Sequence, residues 1–255
     1  MNKSIKILMV GNSFADDSIQ YVRNIFDSLG YTYIKVVCLY FGGCSIDMHL
    51  SFYKNGESTY LYNEAGDDEI RSKDGYYSLK QGIEDDDWDI ITFQQVSYLS
   101  GLSSSYENLK ELVSIVKELN HNPNTKYAWL MTWSDSKDSV RDCFIENYGG
   151  SQETESRGIR NCVKHIMEEH KFDILIPTGK AIDNIRKTSI GDTLNRDGYH
   201  LSFDKGRYIA SLSLALSISK DLDAKNIYHP SFVSEEEFRL MLNGVIDAIN
   251  NPFKD

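Results

Sequence analysis

Five short apolar runs alternate with stretches whose apolar residues recur every three or four positions, and that alternation limits how the chain can fold. The runs at residues 6–10, 33–40, 88–95, 126–133 and 172–176 have strand length. Between and after them, residues 16–29 carry Ile19, Val22, Ile25, Phe26 and Leu29 at helical spacing, and residues 106–119 carry Leu109, Leu112, Val113 and Val116. Further helices are predicted at about 153–170, 180–187, 206–219 and 234–249. Gly30 closes the first, Pro177 stops the fifth strand, and Ser234-Glu235-Glu236-Glu237 has the spacing of a capping box. Strands and helices in strict alternation pack as a parallel sheet with helices on both faces. The expectation is one α/β domain over residues 1–255, a three-layer α/β/α sandwich around a mostly parallel five-stranded sheet. Residues 51–81 interrupt the rhythm. They are rich in Tyr, Asn, Asp and Gly and contain the turn pairs Asn55-Gly56 and Asp74-Gly75, so they read as an insertion with at least one small hairpin.

Charge and hydropathy exclude several function classes. The formal net charge of -11 argues against nucleic acid as the main partner, which would need a basic footprint. Acidic runs such as Glu84-Asp85-Asp86-Asp87 and Glu235-Glu236-Glu237 read as solvated faces or helix starts. No apolar stretch approaches the roughly 20 residues of a membrane span. The apolar residues 5–10 lead directly into Gly11-Asn12-Ser13, without the long apolar region and cleavage site of a secretory leader. The chain as it stands therefore reads as soluble and cytoplasmic, or as periplasmic or extracellular if a leader has been removed. Cys38, Cys44, Cys143 and Cys162 form no CxxC pair and read as buried thiols; an exported chain could bridge Cys38–Cys44 or Cys143–Cys162.

Ligands of such sheets gather beyond the carboxyl ends of the strands. Four polar blocks fall there or in nearby loops: Gly11-Asn12-Ser13, Gly42-Gly43-Cys44-Ser45, Gln94-Gln95-Val96-Ser97 and Arg196-Asp197-Gly198-Tyr199-His200. Ser13 stands between a strand and a helix, where a serine is ordinarily an N-cap, yet a helix start also favours an alkoxide or oxyanion. A serine nucleophile needs a base. Of the six histidines, His200 has a carboxylate three residues earlier, Asp197, able to orient its ring. His49 has none and is placed behind the site at best. Acyl transfer also needs donors for the developing oxyanion. The backbone N–H of Ser13, that of Gly43 and the side-chain amide of Gln95 are the candidates, the glycines being equally readable as a strand-ending turn.

These blocks, in this order, resemble the SGNH (GDSL-like) hydrolase superfamily, in a largely bacterial branch. Val10-Gly11-Asn12-Ser13-Phe14, Gly42-Gly43-Cys44-Ser45, residues 88–97, Thr132-Trp133, residues 177–182 and 196–202 carry the likeness, over most of the chain. It implies a flavodoxin-like fold and hydrolysis of esters, often acetyl groups on carbohydrates, with no metal or organic cofactor. Ser13 would be the nucleophile, His200 the base, Asp197 its orienting acid, and Ser13 and Gly43 N–H oxyanion donors. Two positions depart from the pattern. Asn12 stands where many relatives have Asp, and Gln94-Gln95 replaces the usual Gly-x-Asn. The third oxyanion donor is assigned to Gln95, with Gln94 and Ser97 as rivals.

The expected substrate is a small-molecule or glycan ester. Tyr53, Tyr60, Tyr62, Tyr76 and Tyr77 in the insertion and Trp133 at a strand end either offer aromatic faces for sugar rings or cover the core, and Trp129 reads as core. Two other classes compete: a glycan-binding protein that keeps the fold without turnover, and a flavin or nucleotide binder. The second is weakened by a first turn, Gly11-Asn12-Ser13-Phe14-Ala15, that has neither a Walker A nor a GxGxxG pattern.

Overall fold

The computed structural model of the protein describes residues 3–222 and 225–254. Its core is the expected α/β/α sandwich, with seven strands rather than five. Strands β1 (Lys3–Gly11), β2 (Tyr31–Tyr40), β5 (Ile90–Phe93), β6 (Lys126–Leu130) and β7 (Ile174–Ile176) are parallel, in the spatial order β2-β1-β5-β6-β7. The central strands β1 and β5 are buried almost without interruption, as a sheet covered on both faces requires.

The two extra strands come from the Tyr-rich insertion. β3 (Tyr60–Ala65) pairs antiparallel with β2, and β4 (Ile70–Tyr77) pairs antiparallel with β3. The hairpin turns at Gly66-Asp67-Asp68-Glu69, where the Gly66 N–H bonds the Glu69 carbonyl at 2.8 Å, so Asp74-Gly75 lies inside a strand and marks no turn. Tyr60 and Tyr62 are fully buried against the sheet face, while Tyr76 is exposed on the edge strand. An edge carrying Arg71, Lys73 and Asp74 discourages pairing with another chain.

Helices fill the two outer layers. α1 (Ser13–Asp17), α2 (Val22–Ser28), α8 (Thr178–Arg186), α9 (Lys205–Ser219) and α10 (Glu235–Asn250) cover one face, with Phe14, Ile25, Ile182, Leu212 and Met241 in its core. α3 (Ile46–Lys54), α4 (Leu79–Glu84), α5 (Leu109–Leu119) and α7 (Gln152–His170) supply the core of the other, including Ile46, Leu79, Leu112 and Ile159. The short helix α6 (Asp142–Tyr148) precedes α7 and ends on Gly149 in the left-handed region. α10 opens with the expected capping box between Ser234 and Glu237.

The predicted helix over 16–29 is broken in two by a distant side chain. Ser211 Oγ of α9 donates to the Ser18 carbonyl at 2.9 Å and accepts the Tyr21 N–H at 3.2 Å, satisfying both sides of the break. Helices α3, α4 and α6 were not predicted. α3 and α4 announce themselves through Ser45 and Ser78, whose hydroxyls cap them. All four cysteines are free. Among the described residues no helix is long and apolar enough to cross a membrane.

Candidate active site

The site begins where β1 ends. Gly11 has no room for a side chain: a Cβ there would sit 2.6 Å from Ala15 Cβ and 3.1 Å from Gln94 Oε1. The chain can thus turn tightly from strand into α1. The N-cap of α1 is Asn12, not Ser13; its Oδ1 accepts the Phe14 N–H at 3.0 Å, and its Nδ2 donates to the Cys44 carbonyl at 2.9 Å. Ser13 is consequently the first helical residue, with its hydroxyl free for another partner.

That partner is His200, 187 positions later, whose Nε2 lies 2.8 Å from Ser13 Oγ. The opposite ring nitrogen, Nδ1, lies 2.6 Å from Asp197 Oδ2, and Asp197 Oδ1 accepts the His200 backbone N–H at 2.8 Å. A carboxylate can only accept, so Nδ1 carries the proton and Nε2 is left to take one from Ser13. Burial works against ionisation of Asp197, but the hydrogen bonds from the His200 ring and backbone outweigh it and hold the carboxyl below its ordinary range. Around these groups lies a cavity of about 260 Å³, lined by Ser13, Tyr40, Gly42, Gly43, Ser97, Tyr98, Arg141, Tyr199 and His200 among others. Gly43 sits at φ +68°, in a turn closed by the Cys44 N–H on the Phe41 carbonyl, a conformation that favours glycine. A larger groove of about 410 Å³, lined mainly by residues of α7 and of the segment leading into α5, shares no residue with this cavity.

A family model described as a domain of unknown function, DUF4886, matches residues 6–248. The chain belongs to that family. A DUF4886 protein from Bacteroides uniformis is 30% identical and superposes with a TM-score of 0.93 over 99% of this chain and 97% of its own. The DUF4886 fold seen here is that of SGNH hydrolases. A candidate SGNH hydrolase from Slackia heliotrinireducens matches at TM-score 0.55 and 18% identity, over 85% of this chain and all, 100%, of its own. Axe2, an acetylxylan esterase from Geobacillus stearothermophilus, matches at 0.55 and 12%, over 90% and 99%. No curated protein matches the chain.

In this DUF4886 chain the structure does not bring Gln95 or Trp133 to the cavity. Gln95 is buried behind it: Nε2 donates to the Ser105 carbonyl at 2.7 Å, and Oε1 accepts the N–H groups of Ile46 and Val96 at 3.2 and 2.8 Å. The amide ties three segments together and faces away from a substrate. Gln94 is likewise turned inward, its Nε2 on Asn12 Oδ1 at 2.6 Å. Ser97, the remaining rival, does line the cavity. Trp133 is fully buried. It stacks on Phe14 at 4.0 Å between centroids and donates from Nε1 to the Tyr199 carbonyl at 2.8 Å, bracing the residues beside Ser13 and His200 from below. Besides His200, the aromatic side chains that do line the cavity are Phe14, Tyr40, Tyr98 and Tyr199, none from the insertion. His49 is buried behind the site, bonded through Nδ1 to the Tyr60 hydroxyl at 2.8 Å.

Two residues escaped sequence reasoning. Asp17 of α1 is a buried carboxylate that receives the Leu201 N–H at 2.9 Å, Arg196 at 3.1 Å and Arg207 at 2.7 Å, which clamps the Asp197–His200 loop against the helix bearing Ser13. Arg141 approaches from the loop before α6 and stacks 3.6 Å over the Tyr199 ring, itself against His200. Asp17 left one trace in the sequence, a carboxylate at a helix position between Phe14 and Val22 that must face inward. Among the described residues no cluster of three His, Cys, Asp or Glu side chains is placed to hold a metal ion.

Proposed function

We propose that this DUF4886 protein is a serine hydrolase of carboxylic esters, acting through an acyl-enzyme on Ser13. One observation carries the reading: the unbroken chain Asp197 Oδ2, His200 Nδ1, His200 Nε2, Ser13 Oγ, with steps of 2.6 and 2.8 Å. In the first half, Ser13 Oγ attacks the ester carbonyl carbon while its proton passes to His200 Nε2. The imidazolium is stabilised by Asp197, and the backbone N–H groups of Ser13 and Gly43 receive the oxyanion. The carbonyl–alkoxide bond then breaks, and His200 protonates the departing alcohol. In the second half, water gives a proton to His200 and attacks the acyl carbon, which releases the acid and restores the Ser13 hydroxyl.

A cavity of about 260 Å³ suits a short acyl group, and Tyr40, Tyr98 and Tyr199 offer faces for a sugar ring. The likeness in fold to an acetylxylan esterase points the same way, so acetylated carbohydrate is the substrate class we assign. Mass-spectrometric mapping after treatment with a fluorophosphonate should find the adduct on Ser13. Ser13→Ala should abolish hydrolysis of an aryl acetate while unfolding at the same temperature as the parent; full activity in that variant removes the reading. A glycan-binding protein without turnover is the second reading, favoured by the burial of both glutamine amides away from the cavity. It requires binding of acetylated oligosaccharide with no label on Ser13.

A further inference from the structure

With Gln94 and Gln95 turned away, the oxyanion position lacks a side-chain donor from the segment after β5. Ser97 is the residue of that segment whose side chain can replace it. It is buried, sits at the start of the 3-10 turn Ser97–Leu99, and lines the cavity with Ser13 and Gly43. Its oxygen is already engaged as an acceptor: Arg141 Nη1 and Nη2 approach Ser97 Oγ at 3.5 and 3.4 Å. A hydroxyl whose lone pair is taken still has one proton to give. Among the described residues no protein acceptor takes it. We propose that Ser97 is the third oxyanion donor and that Arg141 is the positioning residue that turns its hydroxyl toward the substrate.

Arg141 is held for this task from three sides. Its guanidinium pairs with Asp135 Oδ1 at 2.9 Å, sits over the Tyr199 ring, and turns both Nη atoms to Ser97 Oγ. Asp135, itself 1% exposed, cancels the cation, so Arg141 is poorly suited to anchor a permanently anionic substrate and well suited to polarise a neutral neighbour. The contacts to Ser97 are long, and catalytic hydrogen bonds often tighten only once substrate is bound. Tyr40, Tyr98 and Tyr199 also border the cavity, but no hydrogen bond among the described residues fixes their hydroxyls, and an oxyanion donor acts through preorganisation.

The inference rests on the serine-hydrolase reading, and the two fail differently. If fluorophosphonate does not label Ser13 in the wild-type protein, both fall. With labelling established, Ser97→Ala should lower kcat for an aryl acetate roughly a hundredfold, with KM within about twofold. Arg141→Met should lower kcat about tenfold in the wild-type background and change it less than about twofold when Ser97 is already Ala, because its effect passes through that hydroxyl. Arg141→Lys, which keeps the charge beside Asp135 but loses the fork, should fall between the wild type and Arg141→Met. Arg141→Met leaves Asp135 without its cation and can unfold the loop. Ser97→Ala, which removes one oxygen and spares the ion pair, therefore decides. Wild-type kcat in Ser97→Ala, or losses from the two substitutions that multiply in the double variant, would overturn the assignment.

Discussion

Asp17 makes no contact with the cavity, yet the alignment of Ser13 with His200 depends on it. One carboxylate, 0% exposed, holds the Leu201 N–H and the guanidinium groups of Arg196 and Arg207, and Arg196 in turn donates to the Leu201 carbonyl. Asp17 lies four positions after Ser13 along α1, and Leu201 directly follows His200. The ion pair thus ties the helix to the loop at the spacing the proposed proton transfer needs. Asp17→Asn preserves shape but removes the charge, taking the carboxylate from Arg196 and leaving Arg207 only the more distant Asp16, 3.9 Å away. Breaking a buried pair in this way typically costs about 3–5 kcal/mol, and Arg196 and Arg207 keep some access to water, so the lower end applies. A displacement of the base by about 1 Å lowers turnover on the order of a hundredfold. Asp17→Asn should accordingly unfold at lower urea and lose kcat by about 10–100-fold with KM little changed. Unaltered kcat would show that the loop is held by other contacts.

At the scale of elements, the break between α1 and α2 shows how a distant residue edits a local pattern. Residues 16–29 have the periodicity of one helix, but Ser211 supplies an acceptor and a donor that a continuous helix has no use for. Ser211→Ala leaves a buried carbonyl and a buried N–H unpaired. Unless the helix rejoins, the loss is about 1–3 kcal/mol in chemical denaturation. No change in stability would mean that water or a rejoined helix satisfies both groups.

The same contrast separates what was readable in the chain from what was not. The five parallel strands and the long helices follow from local periodicity. Ser13, Gly43, Asp197 and His200 could be nominated because each lies in a polar block at a strand end or in a loop. Their meeting 187 positions apart is a property of topology, which the strand order supplies. A hairpin was expected in the insertion and β3–β4 is one, but its joining to the main sheet through β2 was hidden, because edge strands take their character from the neighbour they pair with. Tyr60 and Tyr62, readable either as ligand-facing or as core cover, are the residues by which the hairpin buries itself. Gln95 and Trp133 were placed in the site because sequence gives a residue's position beyond a strand but not its direction. Arg141 lies in a loop with no periodic pattern, and only its three-dimensional contacts with Asp135, Ser97 and Tyr199 reveal it.

Across the whole molecule, two buried titratable groups oppose each other and bound the pH range of stability. His49 is kept neutral by burial, its pKa lowered to about 3. Because that value is below the roughly 6.5 of an unfolded histidine, its contribution is present above about pH 6.5 and is lost as pH falls toward 3. Glu155 lies on α7 behind Arg141, with Oε2 accepting the Asp135 N–H at 2.8 Å. Burial, assisted by the charge of Asp135 and opposed by Arg141 and Arg186, raises its pKa to about 8. Here the sign reverses: the folded protein holds a proton that the unfolded chain releases near pH 4.5. The contribution is complete below that pH and disappears as pH rises through 8. Glu155→Gln mimics the protonated carboxyl, keeps an oxygen for the Asp135 N–H, and removes the linked proton. Relative to the parent, this variant should gain stability on going from pH 5.5 to pH 8.5, by an amount on the order of a few kcal/mol. Urea unfolding of both proteins at the two pH values measures it. Parallel pH profiles would mean that Glu155 is already ionised in the folded protein, with Arg141 and Arg186 supplying its counter-charge.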